Sequence, residues 1–192
     1  FGVFFIIGNM HTFLALMLVI SVSVRNSFGI EEYITINRLH DLAKLVFAFS
    51  LLWAYMGYSQ YLVIWYADLP EETPYLVIRS MEQPWALMFL LIIIAVFAIP
   101  FLGLLPKTFC RIPNYIRAMG IWVVISQWFV IYLMVVPSLQ DFGHYHVDMG
   151  LHELLITLGF VGIFFLSYFT FLGKVPILPI SDKHLCRSWH GH

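Results

Sequence analysis

The sequence contains few charged residues. Charged residues make up 11% of its 192 positions and the formal net charge is −1, whereas ordinary soluble domains carry about 25% charged residues. With aromatic residues at 18%, this composition excludes a disordered chain, a collagen-like chain and a basic nucleic-acid-binding protein. We therefore expect no nucleic acid among the partners.

Cysteines and the motifs of soluble enzymes are also scarce. Cys110 and Cys186 are the only cysteines, and without a CxxC pair they indicate neither a disulfide framework nor a thiolate metal site. A phosphate-binding loop, a dinucleotide-binding turn and a GxSxG elbow are missing. His152 and Glu153 begin a metalloprotease-like HExxH pattern, but Ile156 stands where its second histidine belongs. We assign no catalytic residue.

The chain begins inside an apolar run. Its first residue is Phe1 and not an initiator Met. The basic n-region and the small-residue cleavage site that mark a signal peptide do not follow. We therefore expect the first segment to be a membrane span and the chain to be part of a longer multi-span subunit.

Long hydrophobic runs dominate the remainder, since 61% of the residues are hydrophobic and the mean hydropathy is +0.86. A bilayer-crossing helix needs about 20 mostly apolar residues. Because hydrocarbon obliges each segment to satisfy its own backbone, the expected fold is an all-α integral membrane protein with about five transmembrane helices. The spans are placed at about 1–24, 39–67, 85–105, 117–137 and 151–173, in a single membrane domain 1–192 with a tail at 174–192. Between the second and third spans, Pro70 and Pro74 predict an exposed loop that stops any helix.

The few charges lie on opposite sides of these spans. One side holds nine of the ten cations: Arg25, Arg38, Lys44, Lys107, Arg111, Arg117, Lys174, Lys183 and Arg187. Arg79 alone lies on the other side. The positive-inside rule then predicts a multi-pass protein with a cytoplasmic C-terminus. Seven of the eleven acids fall on the outer side, where they could receive a partner, feed protons or form a solvated rim.

The second span carries a polar stripe. At about 100° per residue, Asp41, Lys44, Tyr55, Ser59 and Tyr66 share an arc of about 60°. We expect this stripe to face other helices or internal water. It forms either one wall of a proton path, entered through Asp41 and Lys44, or a structural stripe of an ion pair and interhelical hydrogen bonds.

His11 lies about halfway along the first span. It is a candidate for relaying protons or contacting a quinone, and the alternative is a hydrogen-bonded packing residue. Haem held by two histidines needs both at one depth. His40 and His152 begin spans at opposite surfaces, so we expect no haem on this chain.

The entrance of the fifth span is rich in histidine and acids. His144, His146, Asp148, His152 and Glu153 fall within ten residues. They suit a protonatable outer cluster or an interfacial loop, and a zinc or copper site is the third alternative. We expect no metal and retain His152 and Glu153 as candidates for the outer end of a proton path.

The stretch 39–75 carries a family resemblance. The motifs that carry it are His40-Asp41-Leu42-Ala43-Lys44, Trp53-Ala54-Tyr55, Ser59-Gln60-Tyr61 and Ile64-Trp65-Tyr66 with Leu69-Pro70-Glu71-Glu72. This combination resembles the F subunit of bacterial alternative complex III, a quinol:electron acceptor oxidoreductase, which is related to membrane subunits of the polysulfide-reductase type. The chain would correspond to the C-terminal half of that subunit.

The resemblance implies a function and a location. It implies a subunit without its own redox cofactor in the bacterial inner membrane. A sister membrane subunit would hold the quinol site, and periplasmic subunits would hold haem c and iron–sulfur clusters and accept electrons from menaquinol. This subunit would be a scaffold and a possible proton route, and only Asp41 and Lys44 are carried over within the matched motif.

Two other functions stay open. The chain could itself bind quinol, with His11 as the base that accepts the hydroxyl proton. It could also be a transporter or a pure scaffold without redox coupling. Broken spans typical of transporters are not indicated, because Pro100 is the only proline deep inside a span.

Overall fold

The computed structural model describes residues 2–28, 31, 33–139 and 151–174. These residues fall into two compact units, Phe1–His146 and Val147–His192. The predicted tail is outside the described residues apart from Lys174, and so are His144, His146 and Asp148. The prediction of a single membrane domain stays a prediction.

The described residues form helices and no strand. The α-helices are α1 Gly2–Phe28, α2 Ile36–Ala67, α3 Thr73–Ser80, α4 Trp85–Ile93, α5 Ile99–Leu104, α6 Pro113–Val135 and α7 Leu151–Leu172. A π-helical segment, Ile94–Ala98, joins α4 to α5, and 3₁₀ turns lie at Phe109–Arg111 and Val136–Ser138.

Five helical stretches are long and apolar enough to cross a membrane, as the hydropathy predicts. They are Gly2–Ser27, Ile36–Ala67, Trp85–Leu104, Pro113–Ser138 and Leu151–Leu172. The expectation of an all-α membrane bundle is confirmed. Their ends differ from the predicted ones by up to four residues, because a helix can continue beyond the apolar run that defines a span in the sequence.

The loop after α2 differs from the expectation. Asp68 ends α2 in the left-handed conformation, at φ 46°. Helix α3 then begins at Thr73, with Pro74 in its first turn. The prediction that Pro74 stops any helix is therefore wrong. A proline in the first turn lacks an N–H that would have no intrahelical partner there, so it starts a helix as readily as it ends one.

The third span changes its winding near its middle. The five residues Ile94–Ala98 form a π-helical turn, and Pro100 follows two residues later. Proline has no N–H to donate, and its ring collides with the carbonyl four residues before it in regular α-helix. Widening the preceding turn accommodates the ring and keeps the span continuous.

Helix α1 packs against both α2 and α6 in the first unit. The backbones of α1 and α6 lie close together at Gly120 of α6, where a Cβ atom would lie 3.0 Å from the carbonyl oxygen of Ala15 and 2.8 Å from Val19 Cγ2. Small residues at such crossings let helix backbones approach each other in membranes.

The core of this unit has two apolar clusters. One contains Ala15, Leu18, Val22, Leu39, Ala43, Val46, Leu104, Cys110, Ile116 and Val123. The other contains Ile7, Trp53, Trp85, Ile92, Val96, Val130, Tyr132 and Leu133. Along α1, α2 and α6 the two clusters occupy successive segments, so they lie one above the other along the helix axes.

Candidate functional site

Asp41 and Lys44 form an ion pair near the start of α2. Lys44 Nζ lies 3.0 Å from Asp41 Oδ1, and the Nδ1 atom of His40 lies 3.9 Å from the same oxygen. The side chains of Asp41 and Lys44 are 71% and 60% exposed. The pair therefore stands on the surface, where two protonatable groups can exchange protons with water.

Tyr55 and Ser59 lie further along the same helix. Tyr55 is 65% exposed, and Ser59 donates its hydroxyl to the Tyr55 carbonyl oxygen at 2.8 Å. Tyr66, which completes the predicted stripe, is 84% exposed. The opposite face of α2 is the buried one and carries Leu39, Ala43, Val46, Ser50, Trp53 and Ile64.

The polar stripe was expected to face other helices or internal water. Its members are exposed or only partly buried among the described residues of this chain, and their burial by water or by helices of another subunit stays a prediction. Lipid tails and a protein core are equally apolar, so hydrophobicity alone does not decide which face of a membrane helix turns inward.

His11 is fully buried between α1 and α6. Its Nδ1 atom lies 3.1 Å from Nε2 of Gln127, and its own Nε2 has no hydrogen-bond partner among the described residues. A partner 116 positions away could not be predicted from sequence. The ion pair at Asp41 and Lys44 lies on a different helix, and the structure records no contact between it and His11.

His152 and Glu153 lie in the first turn of α7, in the second unit. The Thr157 hydroxyl donates to the Glu153 carbonyl oxygen at 2.7 Å. Within the described parts of the chain, no group of three or more His, Cys, Asp or Glu side chains is placed to hold a metal ion. The other histidines of the predicted outer cluster fall outside those parts.

Arg79 is a buried cation whose contacts the sequence did not predict. It is 3% exposed, although α3 has only eight residues. Its Nε donates to the carbonyl oxygen of Leu133 at 2.9 Å. Its Nη2 donates to the carbonyl oxygen of Met134 at 2.8 Å and to the hydroxyl oxygen of Ser138 at 2.6 Å. Its guanidinium lies over the Tyr75 ring. The one feature of the sequence that singled out Arg79 was that it is the lone cation on the predicted outer side.

These contacts place a positive charge at the C-terminal end of α6. The last carbonyl groups of a helix lack intrahelical partners and carry the negative end of the helix dipole. A planar guanidinium donates to several of them at once. Arg79 therefore ties α3 to the end of α6, and in the described residues it forms no ion pair with a carboxylate.

A cavity of about 420 Å³ lies beside Arg79. Its volume is within the range of about 300–1,000 Å³ typical of small-molecule sites. Its walls are mostly apolar and aromatic, and they include Phe4, Trp53, Tyr58, Tyr61, Tyr75, Arg79, Phe89, Ile92, Phe97 and Leu133. His11 does not line it. The space suits an apolar or aromatic molecule, and His11 cannot serve there as the base that the quinol hypothesis assigned to it.

No family model matches the chain, and no curated protein is significantly similar to it.

Proposed function

We propose that this protein is a non-redox integral membrane subunit of a menaquinol-oxidising respiratory complex, in which it scaffolds the quinol-binding subunit. The observation that carries the proposal is the exposed aromatic face of α2, within the stretch that resembles the F subunit of alternative complex III. Tyr55, Tyr58 and Tyr66 are 65%, 64% and 84% exposed on that face.

The depth of Tyr55 supports a protein partner. At 1.5 Å per residue, Tyr55 lies about 28 Å from the start of a helix about 48 Å long. Tyrosines near the ends of a span reach the headgroup region, but a phenol near the middle meets hydrocarbon, which offers no hydrogen-bond acceptor. A helix of a sister subunit can supply both an acceptor and an apolar surface.

Electron transfer belongs to the partners in this proposal. Menaquinol is oxidised in the sister membrane subunit, and haem c and iron–sulfur clusters in periplasmic subunits accept the electrons. The outer acids, including Asp68, Glu71 and Glu72, are exposed and offer a negatively charged docking surface. The protein would lie in the bacterial inner membrane with its C-terminus in the cytoplasm, as the distribution of its cations indicates.

Proton movement is the second part of the proposal. Asp41 and Lys44 are exposed at the cation-rich end of α2, so they would be the cytoplasmic entry to a route along the α2 surface past Tyr55 and Ser59. The route would be completed by the partner subunit or by water at the interface. His152 and Glu153 remain candidates for its outer end, and His11 for a relay inside the bundle.

The aromatic cavity favours quinol binding by this chain as a second candidate function. Its size and its aromatic walls fit a ring with an isoprenoid tail, and Arg79 and Tyr75 are among the residues that line it. A photoreactive menaquinone analogue that labels cavity residues such as Phe89 would support this candidate. Labelling confined to the sister subunit would support the first one.

Photocrosslinking tests the scaffold role. A benzophenone amino acid would replace Tyr58 in the full-length protein in its native membrane, with a matched replacement at the buried Val96 as control. We expect a product between Tyr58 and a second membrane polypeptide, and none from Val96. Adducts with lipid or with this chain alone would contradict the proposed interface.

A further inference from the structure

A layer of buried polar residues separates the two apolar clusters of the first unit. Along α1, α2 and α6 this layer falls between the segments that form the clusters, and its members are at most 4% exposed: His11, Ser50, Ser126 and Gln127. Buried polar groups at membrane depth are costly unless they are hydrogen-bonded. Each member therefore needs a partner.

The two serines find partners within their own helices. Ser50 donates to the Phe47 carbonyl oxygen and Ser126 to that of Trp122, both at 2.8 Å. His11 and Gln127 instead meet across the α1–α6 interface at 3.1 Å. With Nε2 of the Gln127 amide donating to Nδ1 of His11, the amide oxygen points away from the imidazole.

Gln127 also lines a second, smaller cavity. The cavity is about 20 Å³ and is bordered by Gly8, Asn9, Thr12, Trp53 and Gln127 together with apolar residues. A Cβ atom added at Gly8 would lie 3.5 Å from Gln127 Oε1 and 3.8 Å from Trp53 Nε1. Both polar atoms therefore border the space beside Gly8.

Besides the cavity, the unpaired indole N–H of Trp53 points to a ligand. Trp53 is 6% exposed, and its Nε1 atom is buried without a hydrogen-bond partner among the described residues. An indole N–H is a donor only, so it requires an acceptor and repels a metal cation. The Gln127 oxygen is an acceptor with unused capacity, so a molecule that both accepts and donates would satisfy the two groups.

We propose that one water molecule is bound in this cavity. A water needs about 10–15 Å³ of such space and two to four polar partners. It would accept a hydrogen bond from the Trp53 N–H and donate one to Gln127 Oε1. The Asn9 amide, which also borders the cavity, would be a third partner. The site joins α1, α2 and α6 near the middle of the membrane.

The bound water has a consequence for His11. By holding the Gln127 oxygen, it fixes the amide so that its NH₂ group faces the imidazole. Nδ1 of His11 must then be the acceptor, and the neutral ring carries its proton on Nε2. This site is independent of the proposed respiratory function, since it depends only on the packing of the three helices.

Solid-state NMR on the full chain in lipid bilayers tests the proposal. With ¹⁵N-labelled tryptophan indoles, magnetisation transfer from water identifies an N–H that contacts bound water, and Trp53→Phe assigns the signal. We expect transfer to Trp53. Trp85 is the matched reference, because its Nε1 atom is also buried without a described partner but it borders neither cavity.

Gly8→Ala is the decisive variant. Its methyl group would make only ordinary van der Waals contacts with Gln127 and Trp53, so the fold should persist while the water loses its space. We expect the water transfer to Trp53 to be lost in Gly8→Ala and retained in Gly57→Ala. Absent transfer in the unmodified protein, equal transfer at Trp53 and Trp85, or transfer that survives Gly8→Ala would each overturn the proposal.

Discussion

The guanidinium carbon of Arg79 lies 3.6 Å from the centroid of the Tyr75 ring, one helical turn earlier in α3. Arg79 Nη1 also donates to the Tyr75 carbonyl oxygen at 2.8 Å. Burial lowers the pKa of Arg79 and raises the pKa of the Tyr75 phenol, while the charge of Arg79 opposes the latter shift. An arginine still keeps its charge near neutral pH, so a buried cation holds α3 against the end of α6.

Arg79→Met should destabilise the bundle. The change leaves the carbonyl oxygens of Leu133 and Met134 without their donors, and unsatisfied buried groups cost about 1–3 kcal/mol each. We expect the free energy of unfolding to fall by about 2–4 kcal/mol. Arg79→Lys should lie between the unmodified protein and Arg79→Met, because an ammonium keeps the charge but lacks the planar fork of a guanidinium. Denaturant unfolding in mixed micelles measures this free energy. Arg111→Met, at an exposed position, is the control, and equal stability of the two Met variants would refute the anchoring role.

Gly120→Ala should loosen the α1–α6 contact. The added methyl group would meet the Ala15 carbonyl oxygen at 3.0 Å and Val19 Cγ2 at 2.8 Å, so the helices must separate slightly. Overpacking of this kind costs about 1–3 kcal/mol. At Gly57 an added Cβ meets only the end of the Phe4 ring, at 3.3 Å. The midpoint temperature of unfolding in detergent should therefore fall for Gly120→Ala and stay near the unmodified value for Gly57→Ala.

The proposed proton route predicts that Asp41→Asn and Lys44→Gln lower proton translocation per electron and leave assembly intact. An exposed ion pair contributes about 0–1 kcal/mol, so neither change should unfold α2. The measurement is the proton-to-electron ratio of the complex in sealed vesicles, with Lys107→Gln as an exposed control on the same side. An unchanged ratio in both variants would remove Asp41 and Lys44 from any proton route.

Cys110 should react slowly with maleimide in the folded protein. Its thiol is 3% exposed and donates to the Leu104 carbonyl oxygen at 3.2 Å, and burial raises its pKa. A raised pKa lowers the thiolate fraction at any given pH, and the thiolate is the nucleophile. In a Cys186→Ser variant at pH 8, we expect labelling at least roughly tenfold slower in the folded than in the SDS-unfolded protein. Equal rates would show that the thiol is accessible.

The spans could be predicted because length and hydropathy alone decide whether a helix can cross a bilayer. Each run from Gly2–Ser27 to Leu151–Leu172 is long and apolar without reference to any neighbour. Helix α3 could not be predicted in that way. It has eight residues, and Arg79 joins it to the rest of the unit through hydrogen bonds to residues 54 to 59 positions later in the chain.

The candidate site was predictable only where it is local. Asp41 and Lys44 are three residues apart, and their pairing follows from helix geometry. The periodicity of α2 placed Tyr55 and Ser59 on one arc, but it could not tell that this arc faces away from α1 and α6. His11 was expected in the middle of a span, whereas its contact with Gln127 depends on how two distant helices cross.

The proposed role in menaquinol oxidation is tested most directly by purifying the tagged full-length protein from its native membrane in mild detergent. A reduced-minus-oxidised spectrum and a menaquinol oxidation assay are then recorded on that preparation. The account predicts c-type haem and menaquinol oxidation that co-elute with this chain. A preparation without haem, iron–sulfur clusters or menaquinol oxidation, in which the protein is otherwise intact, would contradict it.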